Sequence, residues 1–180
     1  MPTPTGTAKQ FKRMRMQMAS LSPFEAVSAR VCHTGGIPAT QTTDGNDTTP
    51  STTETYIAEV FVPCQMTVTG IAFLNGSAVA GNIKGILYNK DGTVVASSAS
   101  TAASGTDAYQ KLALSTAYLA EGPATYYVGL QCSSTSQRFN SHILGVFGAS
   151  KKTGETYGTA TNITPPTTFT TAQGPIASLY

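Results

Sequence analysis

The chain changes character near residue 50, and that division limits what it can fold into more than any single motif does. Up to that point it carries Lys9, Lys12, Arg13, Arg15 and Arg30 against Glu25, Asp44 and Asp47, which accounts for the whole net charge of +2. Beyond it, six basic and six acidic side chains cancel. The second part is rich in Thr, Ala, Gly, Val and Tyr, and it reads as short strands cut by turns. The expected organisation is an extended basic N-terminal arm and linker over residues 1–50, followed by one β domain over residues 51–180. About 130 residues can bury roughly two-thirds of their surface, enough for a single core.

The strand pattern is local and repetitive. Residues 56–62 and 66–74 alternate β-formers, the first ending at Pro63 and the second containing Gly70, where a bend or bulge fits. Asn75-Gly76 carries a tight-turn signature. Residues 83–88 and 93–96 flank Asn89-Lys90-Asp91-Gly92, the clearest hairpin in the chain, because Asp-Gly suits the positive φ such turns need. Residues 97–107 read as a small-residue loop. Further strands are expected at 109–114, 126–131, 138–147 and 176–180. Short strands separated by turns, with no amphipathic helix among them, point to an all-β, antiparallel β-sandwich, with a jelly-roll-like arrangement favoured.

The arm has a pattern of its own. Phe11, Met14, Met18 and Leu21 fall at helical spacing, with Lys12, Arg13 and Arg15 on the other side. Ser22-Pro23 ends that pattern, since proline excludes helical geometry from the residue before it. So short a segment is not stable alone in water. It suits folding against a partner, with methionines adapting to an irregular groove. The candidate partner-binding residues are therefore Lys9, Phe11, Lys12, Arg13, Met14, Arg15 and Met18. The plain alternative is a solvated tail, and a membrane-surface helix is disfavoured by the narrow apolar face. Residues 35–53 have a linker composition of Thr, Pro, Gly, Asn and Asp.

Chemistry-bearing constellations are sparse. A charged fraction of 11% is less than half that of an ordinary soluble domain and leaves a neutral, polar surface. A net charge of +2 does not argue for nucleic acid. No run approaches the ~18 apolar residues of a membrane span, and the N-terminal run lacks the apolar core of a signal peptide. Cys32, Cys64 and Cys132 are too scattered for a zinc pattern, and free buried thiols are expected, with a Cys64–Cys132 bridge left open. His33 lies in a stretch without scaffold, so a Cys32–His33 catalytic pair is not expected. His142 reads as an exposed or hydrogen-bonded strand histidine. Six acids in the β block do not mark a catalytic carboxylate pair. The tyrosines, among them the adjacent Tyr126 and Tyr127 that must point to opposite faces, read as strand packing more than as a sugar platform. Neither an enzyme nor a cofactor or metal site is expected.

At this point an ordered series of short motifs carries a resemblance. The run Glu54-Thr55-Tyr56-Ile57-Ala58-Glu59-Val60-Phe61-Val62-Pro63 begins it, followed by Met66-Thr67-Val68-Thr69-Gly70-Ile71 and Leu74-Asn75-Gly76. Then come Leu87-Tyr88-Asn89-Lys90-Asp91-Gly92, Ser104-Gly105-Thr106-Asp107-Ala108-Tyr109-Gln110 and Gly122-Pro123-Ala124-Thr125-Tyr126-Tyr127-Val128-Gly129. With the tail from Ile163 through Pro165-Pro166 to Gly174-Pro175-Ile176, the series resembles a family of tailed-bacteriophage virion proteins. The resemblance covers residues 51–180; the arm matches nothing in it. It implies a capsid decoration (cement) protein on the virion exterior, made in the host cytoplasm. Its partner would be the major capsid protein, and it would be a homo-oligomer, a trimer or dimer. The alternative is a glycan- or receptor-binding module of a head or tail fibre, against which the arm's lack of heptads counts.

Overall fold

The computed structural model describes residues 32–34, 45–143, 145 and 147–180. Eleven strands follow in chain order: β1 (Gly45–Thr48), β2 (Glu54–Val62), β3 (Met66–Leu74), β4 (Asn82–Tyr88), β5 (Val94–Ser97), β6 (Thr101–Ala102), β7 (Tyr109–Ala120), β8 (Ala124–Cys132), β9 (Phe139–His142), β10 (Ala149–Thr153) and β11 (Ala177–Leu179). Every strand pair is antiparallel. One sheet runs β10-β2-β8-β4-β5, with β6 also on β4; a second runs β11-β3-β7; and β1 pairs with β9. The all-β sandwich expected from the sequence is what forms.

Alternation explains the core. In β2, Tyr56, Ala58, Val60 and Val62 face inward and meet Ile71, Phe73, Leu112 and Leu114 from the smaller sheet. In β8, Tyr126 joins this core, while its neighbour Tyr127 faces the other way. Tyr127 there packs with Ile57, Ile86, Tyr88 and Ile163 in a second cluster on the outer face of the larger sheet. Ile163 comes from the long segment between β10 and β11, and its N–H donates to the Gly92 carbonyl at 2.8 Å. Each such fully buried side chain contributes about 1.5–3 kcal/mol relative to exposure, so the sandwich is stabilised on both faces of its larger sheet.

Turn chemistry is partly as read. The 89–92 hairpin forms, with the Asn89 side chain accepting from the Asp91 and Thr93 amides. Only Gly92, at φ +80°, takes the left-handed conformation; Asp91 does not. Gly70 marks a register shift between β3 and β7, and a side chain there would meet the Tyr180 ring at 2.1 Å. Asn75-Gly76, by contrast, is no hairpin turn. Asn75 is buried, bridges Phe139, and joins Gln110 and Gln137 in a hydrogen-bonded amide cluster.

Besides β6, which forms inside the expected 97–107 loop, and β7, which runs past 114 to Ala120, three segments depart from the sequence reading. Residues 45–48, read as linker, form β1, because β9 offers an open backbone edge and Asp47 fastens the strand by accepting from Ser77 N and Oγ. The expected strand over 138–147 stops at His142, and β10 follows separately. There Lys151 and Lys152 stand on an edge strand and pair with Glu54 and Glu155; charges of this kind hide a strand from hydropathy while protecting its edge. The third departure, at residues 32–34, creates the site described next.

Candidate functional site at the root of the arm

Cys32, His33 and Thr34, assigned by composition to the arm, are buried in the β domain. β10 pairs with β2 only as far as Ala58, which leaves the far half of β2 with an open edge. The triplet fills it: Thr34 bridges Val60, His33 bridges Ser178 of β11, the Cys32 N–H donates to the Phe61 carbonyl, and the Leu179 N–H donates to Cys32. The triplet thereby joins the two sheets along one seam. On the opposite seam a single bridge, Ser98 to Leu114, does the same work. The backbone of the arm's last residues is thus a structural part of the sandwich.

Thr34 is the hub. Its amide donates to the Ala177 carbonyl, and its hydroxyl lies 2.9 Å from the Pro175 carbonyl, the Ala177 amide and His142 Nε2. A hydroxyl has one proton and two acceptor sites. A carbonyl only accepts, so the proton goes to Pro175, and the Ala177 N–H and His142 Nε2–H both donate to Oγ1. This assigns the neutral His142 tautomer from the network: Nε2 carries the proton and Nδ1 is bare.

The two histidines of the chain, separated by 108 intervening residues, come together here. The His142 ring stands edge-on to Phe147 at 4.9 Å, and the His33 ring edge-on to Tyr109 at 6.2 Å. Both Nδ1 atoms and the Tyr109 hydroxyl are buried without a hydrogen-bond partner among the described residues. Burial, and then the neighbouring His33, bring the His142 pKa down to about 4 against an opposing backbone hydrogen bond with Thr34. Burial lowers His33 as well. Both rings are therefore neutral at pH 7.

Cys32 takes the left-handed conformation at φ +66°, and its side chain goes to different surroundings from that of His33. Cys32 enters the core, where its thiol donates to Met66 Sδ at 3.3 Å, and burial and then Cys64 raise its pKa to about 11. This is the reverse of an activated thiolate. The cysteines are all free thiols. Cys64 and Cys132 stand at opposite ends of the sheet: Val62 pairs with Ala124, eight positions from Cys132 and so ~27 Å along β8.

Around the root lie surfaces that can receive a partner. Phe61, beside Cys32, is 48% exposed, and Leu119, opposite Thr67 at the same end of the sandwich, is 56% exposed. An open groove of about 470 Å³ runs between Glu59, Phe147, Pro166 and Phe169. Its Phe147 wall is the ring that packs on His142. The residues singled out from the sequence for partner binding, Lys9, Phe11, Lys12, Arg13, Met14, Arg15 and Met18, lie outside the described residues. The sequence reading missed His33, Thr34 and His142 as a unit. The only available signal was a short β-compatible run, Val31 to Thr34, ahead of the glycines at 35 and 36. Comparison with known proteins gives no match to a protein-family model, a curated protein or a solved structure.

Proposed function

We propose that the protein is a structural component of a phage virion, a capsid decoration or cement protein that docks on the head through its N-terminal arm. The arm's basic and apolar side chains at positions 9–18 engage the major capsid protein, and the sandwich sits outside as a trimer or dimer. The observation that carries this reading is the buried root. A tether serves only if it is fastened at the domain end, and Thr34 holds that end by hydrogen bonds to His142 of β9, Ala177 of β11 and Pro175 two residues ahead of β11. The exposed Phe61 and Leu119 at the same end give the docked domain an apolar footing. A surface with few charges suits a protein crowded against copies of itself. An arm that orders on binding spreads contact area over several subunits, and several arms per oligomer act multivalently.

The test is deletion of residues 2–30, which spares the triplet at 32–34. The truncated protein is expected to keep its β circular-dichroism spectrum and lose co-sedimentation with empty capsid shells. Undiminished co-sedimentation would refute docking through the arm. The glycan-binding alternative has less support, because Tyr56, Tyr88, Tyr126 and Tyr127 are buried among the eight tyrosines and cannot offer rings to a sugar.

A further inference from the structure

We infer that Cys32 and Cys64 form an oxidisable dithiol, whose disulfide covalently fastens the root of the arm to the corner between β2 and β3. The inference rests on placement and is independent of what the arm binds. Cys32 is held from both sides of that corner. Its N–H donates to Phe61 near the end of β2, and its thiol donates to Met66, the first residue of β3. Cys64 occupies the middle of the three residues in between. The corner is pinned from outside by Gly122, where any side chain would come within 2.7 Å of the Cys64 backbone. The Cys64 thiol is also near enough for its charge to raise the pKa of Cys32.

Exposure sets the order of events. Cys64 is partly exposed, whereas Cys32 and Cys132 are buried. A peroxide therefore meets Cys64 first. The Cys64 thiolate attacks the O–O bond, giving a sulfenic acid, and the hydroxide that leaves takes up the thiol's proton as one water. The Cys32 sulfur then displaces the sulfenic oxygen as a second water, forming the S–S bond. Two thiols and one hydrogen peroxide give one disulfide and two waters, and a dithiol reductant reverses the step. The product closes a covalent loop around residues 33–63, so that β1 and the chain leading to it become part of a ring anchored in the core.

The experiment uses the full-length protein, titrated with hydrogen peroxide under native conditions, then alkylated in denaturant and analysed by intact mass and peptide mapping. The expected result is loss of two of the three thiols, a fall of about 2 Da before alkylation, and a Cys32–Cys64 linked peptide that dithiothreitol releases. Cys132→Ser is expected to behave like the natural protein. Cys32→Ser is expected to leave a sulfenic acid on Cys64 that dimedone traps. No loss of thiols, a link through Cys132, or Met66 sulfoxide or Cys64 sulfinic acid in place of the link would each overturn the inference.

Discussion

Acidification is the perturbation that the buried histidine pair makes quantitative. His142 is fully buried, and its pKa falls from the ordinary 6.5 to about 4 in the folded protein. The unfolded chain therefore binds a proton that the folded one refuses between these two values. Stability from this term is fully present above pH 6.5, declines as pH falls below it, and levels off below the folded pKa near 4. The loss relative to neutral pH is about 2 kcal/mol at pH 5 and about 3 kcal/mol at pH 4. Those figures are a large part of the 5–15 kcal/mol that holds an ordinary domain together. Burial likewise lowers the His33 pKa, which adds loss of the same sign.

The assay is urea unfolding at pH 7, 6, 5 and 4, with His142→Gln as the comparison. Glutamine keeps an N–H donor for Thr34 and removes the titration. The variant is expected to be less stable at pH 7 by about 1–2 kcal/mol, through lost packing against Phe147. It is also expected to have a markedly flatter dependence between pH 6.5 and 4. Glu54 and Glu155 do not confuse the comparison. Burial pushes both up, but hydrogen bonds from Lys151 and Tyr56, and from Lys152 and Thr161, hold them below the usual carboxylate range. Their contribution is lost only as pH falls below the ordinary value of 4.5, and equally in both proteins. Parallel stability curves for the natural protein and His142→Gln would refute the assignment of a bare, desolvated Nδ1.

Two further outcomes follow from hydrogen-bond accounting. Thr34→Val removes the acceptor for the His142 Nε2–H and the Ala177 N–H, and is expected to destabilise by about 2–3 kcal/mol in urea unfolding, while Thr34→Ser loses under half of that. Tyr88→Phe deletes a buried hydroxyl that has no partner among the described residues and is expected to change stability by less than about 1 kcal/mol, in the stabilising direction if at all; a large loss in thermal unfolding would mean that the hydroxyl is hydrogen-bonded in solution.

How much of this was readable in the chain can be judged element by element. β3 matches the expected 66–74 at both ends, because its alternation is bounded by turn residues and both signals are local. The 89–92 hairpin formed for the same reason. β1, with the sequence Gly-Asn-Asp-Thr, has no apolar alternation. It is a strand only because β9, nearly a hundred residues later in the chain, presents unpaired backbone groups. β10 was hidden by its lysines, and β6 by having two residues.

The candidate site divides in the same way. The sequence by itself determined an all-β sandwich, the opposed faces of Tyr126 and Tyr127, and a basic segment set apart from a neutral domain, since these depend on side-chain period and charge along a short stretch. Only the tertiary structure decided that the arm ends inside the sandwich, that Thr34 meets His142 and that Cys32 lies beneath the corner carrying Cys64. These contacts arise because β10 stops short on β2 and exposes an edge whose amides and carbonyls must be satisfied once buried. Nothing near residue 32 encodes that vacancy; it is set by where another strand ends.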